Sequence, residues 1–232
     1  MFPVKDNIPL ARFPVVTVAL VVANVIAYLL AIRHGGSFLG GPTNRVDVHY
    51  GAVPHDLDHG HRLWTALTSL FLHASFLHIF GNMLFLAIFG PAVEDATGRA
   101  RYLGFYMLGG LVALGAQVAV DPGSSGPTLG ASGAIAAVLG GYILLYPRAR
   151  VLSLVFIVFF VTIVEVPAVF LLGFWFAEQL WLGLEGLAGA GALGSAGQGV
   201  AYFAHIGGFL FGLLSLRLLA TRRAADPPQP VY

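Results

Sequence analysis

Long apolar runs alternate along this chain with shorter segments rich in Gly, Pro and charged residues. An apolar run of about 20 residues can cross the hydrocarbon core of a bilayer as an α-helix. The pattern therefore predicts an all-α polytopic membrane protein with six transmembrane helices. The predicted spans are residues 14–32, 76–93, 102–120, 132–146, 167–182 and 200–220. Residues 1–13 and 221–232 are predicted tails, and the first run is longer than the apolar core of a cleaved signal peptide.

Three connections between the spans stand out by composition. Residues 33–63 are rich in Gly, Pro, His and Asp and are predicted to form a loop on or in the membrane surface. Residues 151–164 are apolar but too short for a further span beside the fifth one, so we expect an interfacial or partly buried connection. Residues 186–199 are Gly/Ala-rich and are predicted to be a mobile loop.

Composition agrees with a bilayer location and excludes other classes. The chain is 57% hydrophobic and 10% charged, with mean hydropathy +0.82. It has no cysteine, which excludes disulfides and thiolate metal sites. A net charge of +1 argues against a nucleic-acid partner. The loop histidines His55, His59 and His61 lack helical or finger-type spacing, so neither a metal site nor a cofactor is expected.

Basic residues predict the orientation of the spans. If both termini are cytoplasmic, nine of the twelve Lys and Arg residues fall on the cytoplasmic side, as the positive-inside rule requires. Those nine are Lys5, Arg12, Arg99, Arg101, Arg148, Arg150, Arg217, Arg222 and Arg223. We therefore expect an integral protein of a bacterial inner membrane with cytoplasmic termini.

Polar side chains inside the predicted spans are the candidates for chemistry, because such residues are costly in a membrane. Ser132 stands between two glycines at the head of the fourth span, where it could also be a simple helix N-cap. A serine nucleophile needs a base. Counted at about 1.5 Å per residue from the arginine after each span, Ser132, Asn82 and His205 lie at one depth, roughly 24–25 Å from it.

Small residues predict that the fourth and sixth spans approach closely. The sixth span contains Gly208 and Gly212 in a GxxxG arrangement, and Gly133 and Gly141 lie on one face of the fourth. His205, one turn before Gly208, therefore faces another helix. A neutral histidine there could accept the serine proton and return it to a leaving amine.

Hydrogen-bond donors, but no obvious carboxylate, are predicted near Ser132. The Ser132 N–H, the Asn82 amide and His78, one turn nearer the outer face, are candidate oxyanion donors. Glu94 and Asp95 fall at the cytoplasmic end, and Glu178 has no motif around it. The residues thus predict a Ser/His dyad.

Four motifs, in this order, resemble those of the rhomboid intramembrane serine proteases of the bacterial six-span type. They are residues 72–86 (LHASFLHIFGNMLFL), 93–99 (VEDATGR), 130–135 (GASGAI) and 204–212 (AHIGGFLFG). The resemblance covers residues 14–220. It implies a rhomboid-like helix arrangement and cleavage of single-span membrane proteins near the outer face.

The same resemblance implies roles for individual residues. Ser132 would be the nucleophile and His205 its base, while His78 and Asn82 would assist the oxyanion. Structural or supporting roles fall to His73, Gly130, Gly133, Gly208 and Gly212.

Two positions depart from the pattern. Many members have an aromatic residue four places after the serine that stacks on the catalytic histidine, whereas this chain has Ala136. We expect another side chain to orient His205, either Tyr202 or an aromatic from the second or fifth span. In the outer loop Thr65 follows Trp64 where some members have arginine, so a contact of that arginine should be missing.

The fifth span is the candidate for controlling access to the site. Phe174, Trp175 and Phe176 of the fifth span are predicted to gate a lateral opening against the second span. One alternative is a catalytically silent rhomboid-like protein that binds membrane clients. The other is a transporter or channel, although the chain lacks the inverted repeats typical of that class.

Overall fold

The computed structural model describes residues 2–157, 160–188 and 200–221. In chain order the elements are β1 (Phe2–Asp6), α1 (Val15–Arg33), β2 (Gly36–Ser37), β3 (Gly41–Pro42), α2 (Asn44–Tyr50), α3 (Pro54–Asp58), α4 (Thr65–Thr68), a 3-10 turn (Ser69–Phe71), α5 (Phe76–Thr97), α6 (Arg99–Val120), α7 (Ser132–Leu145), β4 (Arg150–Ile157), β5 (Phe160–Pro167), α8 (Ala168–Leu187) and α9 (Tyr202–Leu219). Most of the loop predicted over residues 186–199 lies outside the described residues.

Five of these helices are long and apolar enough to cross a membrane, namely α1, α5, α6, α8 and α9. The sixth apolar helix, α7, has 14 residues and would be about 21 Å long. It is therefore shorter than the hydrocarbon core, which is about 30 Å thick. This architecture confirms the predicted all-α polytopic fold, with α7 as its short central helix.

The helix α7 lies at the centre of the bundle. Every residue from Gly133 to Tyr142 is buried, and α5, α6 and α9 surround it. Its closest neighbour is α9, because glycines bring the two backbones together. A Cβ added at Gly140 would meet the Phe209 carbonyl, and one at Gly212 would meet the Ala137 carbonyl. The predicted small-residue packing of the fourth and sixth spans is thus observed.

A three-stranded antiparallel sheet joins the N-terminal segment to the connection between α7 and α8. Its strand order is β1-β4-β5, and Leu154 lies opposite Ile163 in the β4–β5 pair. The sequence predicts only a connection at residues 151–164. The hairpin is missed because its residues are apolar on both faces, so the strand alternation that would reveal it is absent. Phe160 and Val161 on β5 are exposed.

Glu94 fixes the start of α1. The N-cap of α1, Pro14, offers no side-chain acceptor. The Glu94 carboxylate replaces it by accepting hydrogen bonds from the Val16 N–H (2.9 Å), the Thr17 N–H (2.7 Å) and the Thr17 hydroxyl (2.8 Å). A carboxylate at a helix N-terminus also complements the helix dipole. Glu94, which has no predicted role in the reaction, therefore couples α5 to α1.

The loop between α1 and α5, residues 34–75, is tied together by Arg62. Its guanidinium forms an ion pair with Asp56 at 3.2 Å and donates to the carbonyls of Val48 and His49. Arg62 lies three residues before Thr65. The loop therefore contains an arginine, although not at position 65, where some members of the family have one. Within the described ranges, no group of three or more His, Cys, Asp or Glu side chains is arranged to hold a metal ion.

Candidate active site

Ser132 is the first residue of α7, and its hydroxyl faces α9. The N-cap position belongs to Ala131, which has a helical backbone conformation and no side-chain cap. The Ser132 Oγ lies 2.7 Å from His205 Nε2. The hydroxyl is therefore hydrogen-bonded to the imidazole, and the simpler reading of Ser132 as an N-cap does not describe this geometry.

His205 reaches Ser132 because α9 packs directly on α7. Gly208, one turn after His205, has no room for a side chain: an added Cβ would meet the Gly133 carbonyl. A Cβ at Gly133 would in turn lie 2.7 Å from Ala113 of α6. These glycines set the separation between helices that lets a serine and a histidine from different spans form a hydrogen bond.

The second nitrogen of His205 is also occupied. Its Nδ1 lies 2.7 Å from Oε1 of Gln179, on α8. One turn earlier on the same helix, the Trp175 ring lies 5.7 Å from the imidazole, tilted by 38°. An aromatic from the fifth span was among the side chains expected to orient His205, and Trp175 occupies that place. Tyr202 instead packs beside Gly183 of α8.

Asn82 and His78 approach the segment before Ser132 from α5. The Asn82 side chain is buried and its Nδ2 has no hydrogen-bond partner. Gly130 lies under both side chains: a Cβ there would be 2.8 Å from His78 Nε2 and 3.5 Å from Asn82 Nδ2. Its φ of +119° also favours glycine. Gly130 therefore allows the backbone to approach these two donors.

The loop between α1 and α5 holds the segment before Ser132 in place. The Gly130 N–H donates to the Ser69 carbonyl at 2.9 Å. Thr128 and Ala52 exchange two backbone hydrogen bonds, of 2.8 and 3.1 Å, in an isolated β-bridge. The chain that delivers Ser132 is thus anchored to the loop between α1 and α5.

His73, in the segment just before α5, packs against His78. It is fully buried, and its ring stands edge-on to His78 at a centroid distance of 5.1 Å. Burial, reinforced by the neighbouring His78, lowers the pKa of His73 to about 3. The ring is therefore neutral at physiological pH.

A cavity of about 360 Å³ contains these groups. Ser132, His205, His78 and Asn82 all line it. Its other walls include Leu77, Gly81 and Phe85 from α5 and Trp175 from α8. The cavity thus lies between the second and fifth spans as well as beside the hydrogen-bonded Ser/His pair.

The three aromatic residues expected at a lateral gate lie in different environments. Phe174 is 75% exposed. Phe176 stacks on Phe209 of α9 at 4.5 Å, and Trp175 contacts both His205 and Phe209. The ring contacts of Trp175 and Phe176 are therefore with α9, and α8 packs chiefly against that helix.

A hydroxyl, an imidazole and an amide come together at this site. A serine hydroxyl is hydrogen-bonded to an imidazole, and an unpartnered amide donor faces the same cavity. The Ser132 N–H, at the first position of α7, has no acceptor within its own helix.

The profile of the Rhomboid domain family matches residues 60–222, more than half of the chain. The chain belongs to the rhomboid family.

Curated relatives of this rhomboid include proteins of bacteria and of mitochondria. "Rhomboid protein 1, mitochondrial" of Saccharomyces cerevisiae is 33% identical over 150 residues, which are 63% of this chain and 39% of the relative. "Putative rhomboid protease YdcA" of Bacillus subtilis is 34% identical over 80 residues, 34% of this chain and 40% of the relative. "Rhomboid protease GluP" of the same organism is 31% identical over 127 residues, 55% of this chain and 24% of the relative. The rhomboid chain thus matches between 24% and 40% of the length of these relatives.

Gln179 is the residue of this rhomboid site that the sequence does not single out. An amide inside an apolar span is a signal in itself, since such groups usually pair with another polar side chain. Its position four residues after Trp175 also puts both on one face of α8. What the sequence lacks is the rotation of α8, which decides that this face meets His205.

Proposed function

We propose that this rhomboid is an intramembrane serine endopeptidase that cleaves single-span membrane proteins near the outer face of the membrane. The observation that carries the proposal is the 2.7 Å hydrogen bond between Ser132 Oγ and His205 Nε2, in a cavity between membrane-spanning helices. The names of two relatives, a rhomboid protease and a putative one, support the reaction class.

In this mechanism His205 acts first as a base. Its Nε2 accepts the proton of Ser132 Oγ while that oxygen bonds to the scissile carbonyl carbon. The resulting imidazolium then gives the proton to the leaving amine, and the peptide C–N bond breaks. Water, activated by the same histidine, releases the acyl group and restores the Ser132 hydroxyl.

The negative charge that develops on the carbonyl oxygen needs donors. We assign the Ser132 N–H, the Asn82 amide and His78 to this role, with the unpartnered Asn82 Nδ2 as the clearest candidate. Donors that are already fixed in a water-poor site contribute most when charge appears in the transition state. Gly130, Gly133, Gly208, Gly212 and His73 support them by fixing backbone and ring positions.

Substrates would enter the cavity laterally, from within the bilayer. The cavity walls on α5 and α8 favour entry between these helices.

The protein would lie in the inner membrane of a bacterium. We place both tails, residues 1–13 and 221–232, in the cytoplasm on either side of the membrane domain of residues 14–220, following the distribution of basic residues.

Incubation of the purified protein with a panel of single-span substrates tests the proposal. Wild type should produce two fragments from at least one substrate, and neither Ser132→Ala nor His205→Ala should do so. A wild type that binds the substrates but cuts none would favour the silent client-binding function. Cleavage that persists in Ser132→Ala would exclude Ser132 as the nucleophile.

A further inference from the structure

We propose that Gln179 is a positioning residue that holds His205 in the tautomer a general base requires. This inference rests on the proposed protease function. It would turn the expected Ser/His dyad into a Ser/His/Gln arrangement contributed by α7, α9 and α8.

A neutral imidazole carries a single proton on its ring nitrogens. Only one ring nitrogen carries it, and the other presents a lone pair. To accept the Ser132 proton, Nε2 must be the nitrogen with the lone pair. The proton must then sit on Nδ1, which needs an acceptor, and Gln179 Oε1 lies there at 2.7 Å.

The surroundings keep Gln179 in this position. Its side chain is 7% exposed, and a buried amide without a partner is costly in an apolar environment. Trp175 lies one turn earlier on α8 and rests against the imidazole. The two residues therefore act on different features of His205: the tryptophan restricts the ring plane and the glutamine selects the tautomer.

An amide suits a membrane site better than the carboxylate of a soluble triad. An ionised carboxylate buried beside the neutral histidine would carry a large desolvation cost. An amide oxygen accepts the same hydrogen bond without a net charge. It stabilises the imidazolium less, so the gain in catalysis should be smaller than that from an aspartate.

Histidine ¹⁵N spectra test the tautomer without requiring proteolysis. The chain has 8 histidines, and the His205 signals are those absent from His205→Ala. Wild type should carry the proton on Nδ1 of His205. In Gln179→Met, which keeps the length of the side chain but removes the acceptor, a substantial fraction should shift to Nε2. The exposed neighbour Glu178 supplies a matched control, and Glu178→Met should leave the spectrum unchanged.

Kinetics test whether the tautomer matters for the reaction. Gln179→Met should lower kcat about tenfold, the worth of one neutral hydrogen bond, at unchanged KM. Gln179→Glu restores an acceptor, so it should recover most of that loss and move the acidic limb of the pH–rate profile to higher pH. A purely structural role would move neither this limb nor the tautomer.

Two results would overturn the inference. One is a wild-type spectrum with the His205 proton on Nε2, and the other is a folded Gln179→Met variant with wild-type kcat and tautomer. If instead the spectra behave as expected while wild type cleaves no substrate, the proposed protease function fails and the positioning of His205 stands.

Discussion

The contact between α7 and α9 differs in kind from the contact between α8 and α9. In the first, glycines bring backbone against backbone, with Gly208 over the Gly133 carbonyl and Gly212 over the Ala137 carbonyl. In the second, Phe176 stacks on Phe209, Trp175 rests on His205, and one hydrogen bond joins Gln179 to that histidine. Backbones in contact fix one geometry, whereas ring contacts allow a helix to tilt.

This difference separates the two residues that we propose to react from the side chains that support them. Ser132 and His205 belong to the close-packed pair, so α7 and α9 set the spacing of the backbones that carry their 2.7 Å contact. Trp175 and Gln179 belong to the helix that borders the cavity. In our account, an outward tilt of α8 would widen the opening toward α5 and at the same time release the second nitrogen of His205. In this proposal, substrate entry and alignment of the base are coupled.

The largest effect is expected from breaking the close-packed pair. Gly212→Leu would push a side chain into the Ala137 backbone, which cannot move as a flexible side chain can. The cost should exceed the about 1–3 kcal/mol typical of overpacking, with loss of folded, active protein. Gly173→Leu on α8 is the matched control, because a Cβ there meets nothing within 4 Å. Size-exclusion profiles and thermal unfolding would measure both, and equal stability of the two variants would contradict the comparison.

The next effect concerns the oxyanion donors beside the pair. Asn82→Ala removes a buried donor that has no other partner, so kcat should fall about 10²-fold or more, as with soluble oxyanion donors. KM should change little, because the interaction forms in the transition state. Steady-state kinetics on one membrane substrate separate the two constants. A raised KM at constant kcat would make Asn82 a binding or packing residue.

A moderate effect is expected from loosening α8. Phe176→Ala removes a stacked pair worth about 0.5–1.5 kcal/mol beyond its buried area, so the melting temperature should fall. Turnover of a membrane-embedded substrate should rise if opening of α8 limits the rate. Phe174→Ala serves as the control, since Phe174 is exposed and should affect stability less. Unchanged turnover at a lowered melting temperature would argue against gating by α8.

The smallest effect at neutral pH concerns His73, in the segment just before α5. Its folded pKa of about 3 is below the unfolded value of about 6.5, so the unfolded state binds the proton first as the pH falls. Stability from this group is full above about pH 6.5 and declines toward pH 3, by up to about 1.4 kcal/mol per pH unit. Melting curves of His73→Leu should show a shallower decline than wild type. An equal slope would contradict this.

The sequence predicts the close-packed pair better than it predicts α8. Ser132 and His205 are accessible to sequence reasoning because each is a polar residue within an apolar span and the two lie at matching depths. Their glycines also mark the face on which the helices meet. No feature of the sequence pairs Gln179 with His205. The rotation of α8 that brings them together depends on the packing of the Phe176 ring against Phe209. The β4–β5 hairpin is missed for a related reason, because apolar residues on both faces carry no periodic signal.

Labelling of the protein with a serine-directed fluorophosphonate tests directly whether Ser132 is a nucleophile. We predict that the probe modifies Ser132 of the wild type in a membrane-like environment, as located by mass spectrometry of the labelled peptide. His205→Ala should lose this labelling while keeping its fold, because the nucleophile then lacks its base. An unlabelled Ser132 in folded wild type, or equal labelling in His205→Ala, would contradict the account.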